Sequence, residues 1–209
     1  GGLIAVAAVG AVAAAVRRHD PVLVLVLAGI AVGTLLGAGI SLVKVLADPY
    51  TQLSAITFWL LGGLSSVTRA DLWGAAPALL AGLAPMVLLR WRVNLLSLSD
   101  DEALALGVDV RRLRLLLVAA ATLMTAAAVS ISGVIGWVGL VVPHAARLLV
   151  GPDFGRLLPV ALLLGAGLLV LADTLARSTT GLELPLGVVT ALVGAPAFLW
   201  LLARGGRQT

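Results

Sequence analysis

Apolar residues run through this chain in long unbroken blocks, and charged residues collect in the short gaps between them. A bilayer core about 30 Å thick needs roughly twenty mostly apolar residues per helix. Blocks near that length occupy residues 1–16, 22–46, 72–90, 110–132, 134–150, 157–176 and 184–203. The pattern predicts an all-α polytopic membrane helix bundle with these seven spans. Asp20 and Pro21 form an N-cap and first-turn pair before the second block, and Asp109 stands where it would cap the fourth. The block from 134 meets Pro143 and His144 early, so it crosses only if it continues to Val150 with Arg147 snorkelling to the interface. Residues 52–64 are too few to cross at about 1.5 Å per residue and predict a short helix at the outer surface. Residues 95–108 carry too many acids for lipid and predict a short helix on the other side.

Composition agrees with lipid as the main solvent. The chain is 61% hydrophobic and 11% charged, with a mean hydropathy of +1.13. A soluble domain carries about a quarter charged residues, so a soluble enzyme is excluded. There is no cysteine and there are only two histidines, His19 and His144, far apart. Thiolate metal sites and disulfides fall away, a histidine-rich metal site has no basis, and no cofactor is implied.

The fourteen Lys and Arg residues sit at the ends of apolar blocks rather than along one face. That arrangement points to membrane topology and away from nucleic acid. Alternating spans place Arg17, Arg18, Arg90, Arg92, Arg111, Arg112, Arg114, Arg147, Arg156, Arg204 and Arg207 on one side. The other side receives Lys44, Arg69 and Arg177. The positive-inside rule then makes the first side cytoplasmic. The chain starts at Gly1 inside an apolar run, with Arg17, Arg18 and His19 following it, the reverse of a signal peptide. The expectation is a chain that begins inside a membrane helix, with an N-terminal part missing.

Four local features are candidates for function. Gly29, Gly33 and Gly37 repeat every fourth residue, with Ser41 next in the series. Such small residues let helices approach closely, either as plain packing or as a face lining a path between subunits. Gly133, Gly136 and Gly139 precede a proline, as in the broken helices of transporters. Ser99, Asp100, Asp101 and Glu102 fit a capping box, and Gly107 can end the turn that follows. The resulting short helix is either an interfacial connector or a knob gripped by another protein. Asp173 and Arg177 stand four apart at the outer end of a span, suited to an intrahelical pair. The only lysine is Lys44, after Val43, so no phosphate-binding GxxxxGK[ST] loop exists. A pump built on this chain draws its energy from a partner.

Four segments stand in order along the chain: NLLSLSDDEALALGV at 94–108, GVIGWVGLVVPHAARLL at 133–149, ADTLAR at 172–177 and ELPLGVVTALVGAP at 183–196. Together they resemble FecCD-type ABC permeases, the iron-siderophore, heme and cobalamin importers. The resemblance implies the C-terminal part of a ten-helix type II importer permease in a prokaryotic plasma membrane. It implies a homodimer or heterodimer with the path between subunits, a cytoplasmic ABC ATPase, and an extracytoplasmic solute-binding protein. Leu95, Ser99, Asp100, Asp101, Glu102, Leu104, Leu106 and Gly107 would then form the segment held by the ATPase. Gly29, Gly33, Gly37 and Ser41 would belong to the path-lining span, and Arg177 would meet an acid of the binding protein. Two other classes remain open on the residues alone: an ion- or proton-driven secondary carrier, and a structural membrane subunit.

Overall fold

A computed structural model describes residues 1–15, 21–178 and 184–205. The expectations for Arg17, Arg18, His19, Asp20, Glu183 and Arg207 lie outside the described residues. The chain divides into two compact units, residues 1–57 and 58–209.

In the first unit, α1 (Gly2–Ala15) packs along α2 (Pro21–Leu46). Among the described side chains of α2, Val24 and Ala28 are buried. The short helix α3 (Gln52–Leu61) begins here, and its last turn belongs to the second unit. Asp48 holds its start, accepting the Thr51 N–H at 2.9 Å and the Thr51 hydroxyl at 2.7 Å.

The second unit contains α4 (Arg69–Leu88), α5 (Arg90–Asn94), a 3-10 turn (Leu95–Ser97) and α6 (Asp100–Ala105). They are followed by α7 (Val110–Ser132), α8 (Val138–Val150), α9 (Phe154–Ser178) and α10 (Leu186–Gly205). Thr68 starts α4 with a reciprocal cap: its N–H donates to Asp71 at 2.9 Å and its hydroxyl accepts the Asp71 N–H at 3.2 Å. Gly82 lets α4 close on α7, because a side chain there would strike Met124 and the Ala120 carbonyl. α8 packs against α9, and α10 touches both.

Most of the surface is apolar: Leu80, Leu88, Leu163 and Leu192 are 64–80% exposed. Water would penalise such a surface, whereas lipid tails do not. Among the described residues, four helices are long and apolar enough to cross a membrane: Val26–Leu46, Arg69–Leu88, Val110–Ser132 and Phe154–Ser178. The molecule is an all-α polytopic membrane bundle.

Two sequence-based expectations need correction. Residues 134–150 do not form one helix, since α8 starts only at Val138. Gly133 takes φ +68° and Trp137 φ +67°, neither compatible with a continuing right-handed helix. Thirteen helical residues reach about 20 Å, short of a bilayer core. Residues 95–108 are likewise not a single helix. Leu98 and Ser99 are extended, at ψ 167° and 153°, and separate the 3-10 turn from α6.

Candidate functional site

The acidic segment between α5 and α7 is built by local hydrogen bonding. Ser99 caps α6, with its N–H donating to Glu102 Oε2 at 3.0 Å and its hydroxyl donating to the same oxygen at 2.9 Å. The Glu102 N–H donates back to Ser99 Oγ at 3.4 Å. The Ser99 N–H first, and its hydroxyl second, hold the Glu102 carboxyl below the ordinary glutamate value. Gly107, at φ +79°, ends the helix: its N–H donates to the Leu104 carbonyl at 2.9 Å, and the Val108 N–H donates to Ala103 at 3.0 Å. Those two bonds form a Schellman closure, which favours glycine at the left-handed position.

This capped turn sorts its side chains. Ala103 and Val108 are buried, with Val110 and Leu113 also buried at the start of α7. Leu104 and Leu106 are 64% and 56% exposed, beside exposed Asp100, Asp101 and Glu102. Leu95 is half-buried on the separate 3-10 turn. Asp109 then caps α7, accepting the Arg112 N–H at 3.0 Å and pairing with the Arg112 guanidinium at 3.0 Å. α6 with its C-cap is therefore a doubly capped turn with two unburied leucines, Leu104 and Leu106, and an acidic start.

A second arrangement ties down the segment that leads into α6. Asn94, at the end of α5, donates to Asp153 Oδ2 and accepts the Phe154 N–H, each at 2.8 Å. Asp153 Oδ1 accepts the Arg156 N–H at 3.0 Å. The start of α9 is thus tied to the segment leading into α6. No sequence pattern marked this contact, because its partners lie 59 and 60 residues apart.

At the other end of α9, Arg177 pairs with Asp173 one turn back, Nε to Oδ2 at 2.9 Å. The Arg177 side chain remains 52% exposed. Nearby, three chain segments meet through backbone. The Gly63 N–H donates to the Ser132 carbonyl and the Leu186 N–H to the Gly62 carbonyl, both at 2.9 Å. Gly62 takes φ +72°, and a Cβ there would lie 2.5 Å from the Val134 carbonyl oxygen. A Cβ on Gly133 would strike the Trp59 carbonyl. Ala172, Ala176 and Leu186 form the core under this junction, with Leu64, Ile135 and Val189 against them. The glycine-rich character of 133–139 was visible in the sequence, but its carbonyl partners on α3 were not.

Gly29, Gly33, Gly37 and Ser41 all lie on exposed positions of α2. A Cβ on any of the three glycines meets no atom within 4 Å. Ser41 spends its hydroxyl on the Gly37 carbonyl at 3.0 Å. Within the described residues of the first unit the stripe is unpacked.

A Helicobacter pylori protein named as a permease of an iron chelatin transport system is 45% identical over 185 residues, covering 88% of this chain and 56% of that protein. A cobalamin import system permease protein of Halobacterium salinarum is 46% identical over 202 residues, covering 97% and 54%. A hemin transport system permease protein of Yersinia pestis is 41% identical over 191 residues, covering 91% and 57%. The chain spans about half the length of these curated relatives. A solved chain from a metal-chelate type ABC transporter in an inward-facing conformation superposes with a TM-score of 0.82 at 40% identity, over 87% of this chain and 59% of that one. Residues 1–204 match the FecCD transport family, and the chain belongs to it.

Proposed function

We propose that the chain is a large part of the transmembrane permease subunit of an ATP-driven importer for iron-siderophore or related metal-chelate substrates. Capped α6 carries this reading. It presents Leu104 and Leu106 unburied on a doubly capped turn, in a segment that matches a family whose named relatives are permeases of import systems. In this reading α6 seats in a cytoplasmic ABC ATPase that hydrolyses ATP, the chain itself being no enzyme. The solute-binding protein docks at the outer end of α9, where Arg177 projects. The unpacked α2 stripe at Gly29, Gly33, Gly37 and Ser41 faces the path formed with a second permease subunit. The multi-pass chain sits in the plasma membrane of a prokaryote.

The test is assembly of the complete permease with its ATPase. Leu104→Glu puts a charge on an exposed position, so the fold survives while the apolar contact is lost. Co-purification of the ATPase is expected to fall at least tenfold at unchanged permease yield. Retention of the ATPase at wild-type level removes α6 as the docking element.

A further inference from the structure

We propose that the corner where α5 meets the start of α9 binds the headgroup of an anionic phospholipid, through Arg90 and Arg156. The inference goes beyond transport and needs only that the chain lies in a membrane. α4 ends in Leu88, which is 80% exposed, and the chain continues at once into Arg90, Trp91 and Arg92. Trp91 is 65% exposed. An apolar helix end followed by a tryptophan between two arginines suits the boundary between acyl chains and headgroups.

The fold sets the Arg90 stem against the first turn of α9, the turn that carries Arg156. α5 packs on α9, fastened by Asn94 to Asp153 and Phe154. A Cβ on Gly155 would lie 3.8 Å from Arg90 Cδ, so the Arg90 stem passes over Gly155 beside Arg156. Both arginines are exposed. The nearby Asp153 offsets one of the two charges but forms no ion pair with either guanidinium, since it accepts from Asn94 Nδ2 and from the Arg156 backbone N–H. Among the described residues, ion pairs form only at Arg112–Asp109 and Arg177–Asp173. Two guanidiniums against one engaged carboxylate leave a net positive corner that a phosphodiester fits. The exposed Leu88 and Trp91 alongside select an amphipathic partner over a free anion or a hydrophilic acidic peptide.

The complete permease with its ATPase is placed in nanodiscs of phosphatidylcholine containing a minority of phosphatidylglycerol with matched chains. Native mass spectrometry reads the lipids it retains. Phosphatidylglycerol is expected to be enriched several-fold over its bulk share, up to the roughly thirtyfold that two interfacial arginines provide without the offset of Asp153. Arg90→Gln with Arg156→Gln should bring retention close to the bulk ratio. Arg156→Gln alone, at an exposed side chain, should give a partial loss that guards against misfolding of the double variant. Arg90→Lys with Arg156→Lys should keep most of the enrichment, and Arg69→Gln at the far end of α4 should keep all of it. Excess inorganic phosphate should leave the lipid in place. Unchanged enrichment in the double glutamine variant overturns the proposal. So does loss of the ATPase with lipid retention unchanged, which makes the corner a protein contact, or displacement of the lipid by phosphate.

Discussion

Asn94 and Asp153 are joined side chain to side chain at 2.8 Å across 59 residues of sequence, and the same Asn94 accepts the Phe154 N–H. One amide therefore fixes the first turn of α9 against the segment that leads into α6. Asn94→Ala should cost about 1–2 kcal/mol, two modest net hydrogen bonds. Asn94→Asp should cost more, because a second carboxylate would face Asp153. Equilibrium unfolding of the purified permease in mixed micelles, with Ser97→Ala as comparison, checks the order.

Gly133 and Gly136 are close in sequence and opposite in demand. Gly133→Ala places a side chain at φ +68° and against the Trp59 carbonyl, so a loss of about 2–4 kcal/mol is expected from backbone strain and overpacking. Gly136→Ala meets nothing within 4 Å and should change stability by less than about 1 kcal/mol. Thermal unfolding of the two variants side by side reads the difference. Equal effects would show that the α3 carbonyl does not bear on Gly133.

Acid should loosen the α6 cap. The Ser99 N–H and hydroxyl hold the Glu102 carboxyl below 4.5, so the folded form binds its proton less readily than the unfolded form. That contribution is present above the ordinary glutamate value and disappears as pH falls through the lower, folded value. Ser99→Ala should move the Glu102 midpoint back toward 4.5 and remove about 1 kcal/mol of N-cap stability from the helix. A carbon-13 NMR titration of the Glu102 carboxyl measures both states. An unchanged midpoint in Ser99→Ala would count against the capping box.

Arg177 has two possible uses, and they separate by measurement. Its pair with Asp173 is half exposed and worth only about 0.3–0.5 kcal/mol. A charge at the rim of a docking site acts mainly on association rate and its salt dependence. Arg177→Glu should slow capture of the solute-binding protein several-fold at low salt while the yield of complete permease stays nearly constant. Restoration by an acid-to-Lys change on the binding protein completes the test. A collapse in yield with normal docking by the surviving protein would leave Arg177 as a structural partner of Asp173.

Several contacts between residues three or four apart are legible in the sequence. Ser99 with Glu102, Asp109 with Arg112, and Asp173 with Arg177 are all of this kind. Their geometry comes from helix rise and the free N–H groups of a first turn, which any helix at that place must satisfy. The apolar blocks likewise announced a membrane bundle, because lipid leaves no alternative for long runs without charge. The tertiary structure alone decided where α8 begins. Residues 133–137 read as part of a span, yet packing sets the Trp59 carbonyl against Gly133 and opens the chain there, so α8 starts late. The Asn94–Asp153 tie and the approach of Arg90 to Gly155 have the same origin. They exist only once α5 lies on α9, and no spacing along the chain encodes a contact that two separate helices create by docking.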